Sequence, residues 1–468
     1  MKRLPAICVL TVCSLVVVAT QTARQPSRAV TDPGVITTRQ SITPAGVQSV
    51  FDGRVYGVTF GATAQEVWVL AATKEATPSL YQVNWRDNNV VHRWVLPGAA
   101  ALQGLVLDPT TSTPLVGVTI PAKAANNRAG GAVQLLHHTA GTFTPLAADL
   151  GRYLAGAPAL ATTPRGATAI VPLVFDNAVA VVDGTSGAVR GTVKTNGVAP
   201  FAAVISRDGR AAWVSNWGGR WPKDGDITLP TGGAATADRV VVDSRGIAST
   251  GTVVRVDIDT LKVTSTIDVG LHPTALAWDE PRQRLYVANA NTDSVSIIDT
   301  AKAALVETMP IRPFGLALKG VAPSAIVVSP NGERVYVALG GLNAVAVIDA
   351  RTRAVRGFIP TAWYPDHLAL SQDGTQLAIA TLLGVGSGWQ DAPNRRYVHS
   401  YRGTVNVLPV PDDAQLLAYS TAVAENNRIA SARDQLAAAA SALTAATAPQ
   451  PVPSRPGDPS PIEHVVYI

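Results

Sequence analysis

The sequence predicts an all-β protein, and three observations carry that expectation. Apolar and polar residues alternate with a period of 2 in runs such as "SVSIID" (294–299) and "AVAVID" (344–349), where a helix needs 3.6. Gly (39) and Pro (33) are abundant among the 468 residues, and charged residues make up only 15%. That is the composition of a globular, turn-rich β chain, not of a disordered one. The middle of the chain also repeats itself. Pro273 corresponds to Pro323, Tyr286 to Tyr336 and Asp299 to Asp349, each pair 50 residues apart.

Each unit follows one plan. A strand opens after a Pro. A turn follows, in which Asp208-Gly209, Asn331-Gly332 or Asp373-Gly374 supplies the positive φ of a tight hairpin. A second strand ("LYVAN", "VYVAL"), a third that ends in Asp, and a fourth ("ALVETMPI", "AVRGFIPT") complete it. Four short antiparallel strands per ~40–50 residues make one propeller blade. Units start near Val55, Leu102, Pro158, Pro200, Pro273, Pro323 and Pro365. The expected fold is therefore a seven-bladed β-propeller of four-stranded antiparallel blades over residues 40–412. A strand borrowed from one terminus would seal the ring, with residues 41–50 and 403–411 as the partners, and closure removes open sheet edges.

One spacing is long: 73 residues separate Pro200 from Pro273. The extra residues, roughly 217–250, form a long loop, and such loops in compact domains are functional or disordered. Asn216, Trp217, Arg220 and Trp221 lie at its start. Asn289 holds the place of Asn216 in the next unit, and Trp363 and Tyr364 lead into the last one. These seven residues are the candidate binding or docking rim, because loops converge there and because aromatic and Arg side chains make strong contact sites. Packing of the loop against the rim is the plainer reading of the same residues. Asp183, Asp257, Asp299 and Asp349 end the third strands. Their recurrence in successive units argues for turn formation rather than a ring of metal or sugar ligands.

The termini read differently. Lys2 and Arg3 followed by "LPAICVLTVCSLVVVAT" resemble a signal peptide over residues 1–23. The alternatives are an N-terminal membrane anchor and, from "LTVC", a lipid anchor. All three place the remainder in the periplasm or outside the cell. Cys8 and Cys13 both fall in this leader, so the processed chain would have no thiol. Residues 420–448 are Ala-rich without Gly or Pro and predict a helix. Residues 449–461 are a Pro-rich linker, and "IEHVVYI" (462–468) reads as the first strand of a further domain.

No catalytic set stands out. The seven His show no H-x-x-x-H or HExxH spacing. His137 and His138 are adjacent on a strand and point to opposite faces. No nucleophile elbow or phosphate-binding loop is present. The net charge of +5 is thinly spread, so a nucleic-acid partner is not expected.

"YVAN…SIID" (286–299) resembles the YVTN-type β-propeller repeat. "SNWGGRWPKDGD" (215–226), "IPTAWYPDHLALSQDG" (359–374) and the helix–linker–"PIEHVVYI" end resemble bacterial two-domain proteins. In those, a propeller precedes a phosphoesterase of the alkaline-phosphatase-like superfamily. The resemblance implies a non-catalytic docking module here. It also implies a divalent metal and catalytic residues in the domain that residues 462–468 would begin, with no cofactor in the propeller. Its partner would be that phosphoesterase domain, another protein or a cell-surface polymer. The alternatives are a lactonase-like hydrolase with its site in the propeller channel, and a structural surface repeat protein.

Overall fold

A computed structural model of the chain describes residues 26–30, 34–72, 78–108, 113–120, 132–139, 141–152, 154–231, 237–392, 395–396 and 398–429. The leader, the Pro-rich linker and the closing strand lie outside these residues.

Seven four-stranded antiparallel sheets follow one another along the chain. Blade 1 runs from Arg54–Phe60 to Asn89–Val95, and blade 2 from Ala99–Leu107 to Thr142–Ala147. Blade 3 runs from Ala159–Thr163 to Val189–Lys194, and blade 4 from Gly197–Ile205 to Lys262–Asp268. Blade 5 spans Pro273–Asp279 to Ala304–Pro310 and blade 6 spans Pro323–Val328 to Val355–Pro360. All seven expected starts fall in or next to a first strand. Blade 7 is built from both ends of the chain. Val47–Val50 is its outermost strand and pairs antiparallel with Thr404–Pro409, Val47 opposite Val407 and Val50 opposite Thr404. The ring is thereby hydrogen-bonded shut.

Burial follows position in the blade. The third strand of blade 5, Ser294–Asp299, is buried at every residue, because neighbouring blades cover both of its faces. The fourth, Ala304–Pro310, is mostly exposed. Seven apolar clusters, one per blade-to-blade interface, hold the described ring together. Between blades 3 and 4, for example, Ile170, Val179 and Val181 face Ala212, Val214 and Val254. Each is at most 2% exposed.

The turns account for the recurring polar residues. Gly209, Gly332 and Gly374 are left-handed (φ 69°, 67° and 71°). Their N–H groups donate to the carbonyls of Ser206, Ser329 and Ser371. The Asp residues that end the third strands cap the next turn. Asp183 Oδ1 accepts from the Ser186 N–H (2.8 Å) and Asp257 Oδ1 from the Thr260 N–H (2.7 Å). Asp299 Oδ1 accepts from the Lys302 N–H (3.0 Å) and Asp349 Oδ1 from the Thr352 N–H (2.7 Å). These bonds hold all four carboxyls below the usual carboxylate range.

The helix starts earlier than its composition suggests. Among the described residues it spans Asp413–Asn426, so it opens before the expected start at 420, and the described chain leaves it at Asn427. Asp412 accepts from the Gln415 N–H (2.8 Å), an N-cap that sets the start. Leu416 and Val423 bury against blade 6 and its two interfaces, and Ser420 Oγ accepts from the Phe358 N–H on the outer strand (2.9 Å). The remaining residues of the expected helix, from 430 on, lie outside the described residues.

Candidate functional site: the loop-bearing rim

Every first strand starts where its second strand ends, as in the pairs Pro200–Asn216 and Pro273–Asn289. One face of the ring therefore carries all the blade-to-blade links and all the loops between second and third strands. Both long insertions are such loops. One, in blade 4, contains the hairpin Thr228–Pro230/Arg239–Val241, and the other, in blade 7, the pair Gln390–Ala392/Arg395–Arg396.

The rim has a repeated latch. The residue before the opening Pro is left-handed at Ala199, His272, Ala322 and Tyr364 (φ 53–61°). This conformation is unfavourable for a non-Gly residue, and more so before Pro. At three of the four, a side chain at the head of a third strand accepts the N–H. Asn177 holds Ala199 (2.8 Å), Asp293 holds Ala322 (2.9 Å) and Asn343 holds Tyr364 (3.0 Å). At His272 the corresponding position is Gly251, which has no side chain to offer, and the blade 4 insertion enters just before it.

A different arrangement stands at that gap. Trp217 stacks between Phe201 (centroids 3.9 Å apart, 16° between planes) and His272 (4.9 Å, 20°). Asn216 and Asn289 are fully buried. Asn216 donates to Thr252 Oγ1 (3.1 Å), and Asn289 donates to Ser294 Oγ (3.1 Å) and Ser296 Oγ (3.0 Å). Gly197 and Gly270 make room for them, since a Cβ on either would lie within 2.7 Å of the Asn side chain. Asn216 Oδ1, Trp217 Nε1, His272 Nδ1 and Asn289 Oδ1 are buried without a protein partner. Burial lowers the His272 pKa and favours a neutral imidazole. Each of these atoms leaves hydrogen-bonding capacity that ordered water can take up.

The sequence-derived rim residues thus fall into three groups. Asn216, Trp217 and Asn289 belong to this cluster. Arg220 sits in the insertion and donates bidentately to Asp226 (2.7 and 2.9 Å), with Trp221 exposed beside it. That ion pair, with the Lys223 N–H, pulls the Asp226 carboxyl down to about 2. Trp363 and Tyr364 belong to blade 7. Trp363 is buried edge-on to Tyr401 (6.4 Å), and the Tyr364 ring lies close over Gly340.

Sequence reasoning missed a second polar group, at the centre of the ring. Gln103 (φ 55°) reaches from blade 2 across the axis and donates to the carbonyls of Ser324 (2.9 Å) and Asp366 (2.7 Å). Hydroxyls link consecutive first strands. Thr274 donates to the Pro323 carbonyl (3.2 Å) and Ser324 to that of Pro365 (2.6 Å), while Ser215, on the second strand of blade 4, donates to the Thr274 carbonyl (2.9 Å). Asp366 follows at the same repeat position, buried, with both carboxyl oxygens unpartnered among the described residues. Burial pushes its carboxyl well above the usual range. His367 accepts from the Val58 N–H (3.2 Å), and burial lowers its pKa to about 4. Aligning "PFA", "PTA", "PSA" and "PDH" would have exposed the Asp. Among the described residues no three His, Cys, Asp or Glu converge on a metal position.

These features define the class: a seven-bladed β-propeller with an elaborated rim, an architecture that fits a binding module. No family model matches the chain, and no curated protein does. Among solved structures, the chain is similar to the hydrazine synthase of Kuenenia stuttgartiensis. The match has 16% identity and a TM-score of 0.51, over 81% of this chain and 99% of that one. At that identity the likeness speaks for the fold alone.

Proposed function

We propose that this chain is the exported binding and docking module of a phosphoesterase, acting through its loop-bearing rim in the periplasm or outside the cell. The observation that carries the docking part is where the rim elements gather. Both insertions and the exposed Trp221 lie on one face, and the C-terminal helix ends there too. Asn427 donates to the Leu342 carbonyl (3.0 Å) in a rim turn, and Gln40 ties Asn427 to Gly341 on the same face. The described chain therefore ends at the rim. The phosphoesterase part is supported by the resemblance of residues 215–226, 359–374 and 461–468 to propeller–phosphoesterases. The divalent metal belongs to that enzyme's catalytic domain, and no residue of this chain is assigned to it. The docked partner is that domain, in preference to another protein or a cell-surface polymer.

The lactonase-like reading has one observation in its favour, the unpartnered Asp366 in the channel. Gln103 crosses the ring there, and no group of three His, Cys, Asp or Glu converges on a metal position among the described residues.

The test is the intact mass of the native secreted protein, with hydrolysis of a phosphoester assayed with and without a chelator. Expected are a mass roughly twice the 48.6 kDa of this chain and hydrolysis that the chelator abolishes. Hydrogen exchange at residues 217–250 should be slower in that protein than in a version ending at Ala448. A native mass matching this chain less its leader, without hydrolysis, would sink the phosphoesterase reading. Unchanged exchange would sink rim docking.

A further inference from the structure

The opposite face of the ring carries a cleft of about 630 Å³ between blades 5 and 6, lined by five arginines: Arg282, Arg284, Arg334, Arg351 and Arg356. Only Glu333 and Asp349 oppose them in the lining, which leaves the walls with three net positive charges. Tyr286 completes the lining.

Carboxylates at the margins fix the guanidiniums. Arg284 pairs with Asp299 (3.0 Å), Arg282 with Asp279 (3.3 Å), and Arg334 and Arg356 with Asp413 (3.5 and 2.9 Å). Asp279 and Asp299 are themselves buried, at 4% and 13% side-chain exposure. They neutralise charge in the surroundings, but they leave hydrogen-bonding capacity in the cleft. A guanidinium carries five donors. Arg284 engages only Nη1, with Asp299 and the Gln283 carbonyl, so Nε and Nη2 have no acceptor among the described residues. Arg351 makes no ion pair among the described residues, while its own N–H sits on Asp349 (3.1 Å). Gly332 keeps the mouth open, because a Cβ there would lie 2.0 Å from Arg282 Nη1. Burial raises the Tyr286 pKa, which keeps the phenol protonated and able to donate.

Arginines with spare donors, arranged around a roomy concave site, suit oxyanions that take two hydrogen bonds per guanidinium. The volume exceeds what one small oxyanion fills and lies within the range of small-molecule sites. We propose that this cleft binds a small oligoanion carrying two or more phosphate or carboxylate groups, held chiefly by Arg284 and Arg351. The site is independent of the rim and of the phosphoesterase reading.

Titration calorimetry with inorganic pyrophosphate and with citrate tests it, using orthophosphate as the single-group control, at low and physiological ionic strength. Expected is saturable binding of at least one two-group probe, tighter than orthophosphate and weakened by salt. Arg351→Ala, at an exposed position, and Arg284→Gln should each weaken it by about tenfold, the equivalent of a hydrogen bond to a charged group. Pyrophosphate alone binding would assign phosphate chemistry. Citrate alone would assign carboxylates, and both together a cleft that selects on charge. No binding of either probe at roughly 1 mM, or binding that Arg351→Ala leaves unchanged, would overturn the proposal.

Discussion

Asp366 stands where the repeat places Thr274 and Ser324, and there the two hydroxyls donate to the next strand. Burial without a hydrogen-bond partner among the described residues favours the protonated form of Asp366. The linkage is direct. Folded Asp366 holds its proton where the unfolded chain has released it. Its effect on stability therefore worsens as pH rises from the ordinary carboxylate range toward its raised value. Asp366→Thr should stabilise the protein at pH 7 by about 1–3 kcal/mol, because it removes an unsatisfied buried group. It should also flatten the melting temperature between the ordinary carboxylate range and neutrality. A lower melting temperature at pH 7 would show that Asp366 holds a cation or a water that the structure needs. Trp217 and Trp221 separate packing from docking in the same way. Trp217→Ala breaks the stack with Phe201 and His272 and should cost about 3 kcal/mol. Trp221→Ala, on an exposed ring, should stay within ~0.5 kcal/mol in thermal unfolding while weakening whatever docks on the rim.

Among the elements, the blades were the most legible and the rim the least. Strand alternation, the Ser-x-Asp/Asn-Gly turns and the Asp that ends the third strand in blades 3 to 6 are local signals. Each sits within a few residues of the partner that explains it. Asp183 illustrates this, accepting from Thr185 and Ser186 and pairing with Arg190 (2.9 Å). Its stabilisation is present above the ordinary carboxylate range and is lost as pH falls below it. Asp183→Ala should cost about 1 kcal/mol, a figure discounted for its solvent-facing position. The Trp217–His272 stack, in contrast, joins residues on either side of an insertion, and no local pattern announces it. The start of the helix escaped the sequence for a related reason. Ala-rich composition reports propensity, but the Asp412 cap and the burial of Leu416 and Val423 decide where the helix begins. Asp412→Ala should lower stability by about 1 kcal/mol, read by denaturant unfolding. It should also expose the outer strand of blade 6, an edge that invites association. An unchanged midpoint would mean that packing alone positions the helix.

In the ring as a whole, each blade buries its faces only against two neighbours, so stability is a sum of interface terms that closure makes cooperative. Blade 7 differs from the others because its outermost strand comes from the opposite end of the chain, so the seal lies inside the blade. It depends on Val47–Val50 being held at the edge of Thr404–Pro409, with Val50 and Phe51 buried behind it. Removing residues 1–51 deletes one short ladder and the buried apolar side chains of Ala45, Val50 and Phe51. At ~1 kcal/mol per hydrogen bond and ~2 kcal/mol per buried apolar side chain, the direct loss is roughly 5 kcal/mol or more. The newly bared edge of Thr404–Pro409 then adds an aggregation hazard. A protein lacking residues 1–51 should therefore melt well below the full chain, or unfold in separate steps, and should recover when a peptide of residues 34–51 is supplied. A protein ending at Ile429 keeps every described element, so its melting temperature should match that of the full chain. If the N-terminal deletion melts like the full chain, the seal does not govern the fold. If the C-terminal one melts lower, residues beyond 429 add to the ring, and its stability extends past the seven blades.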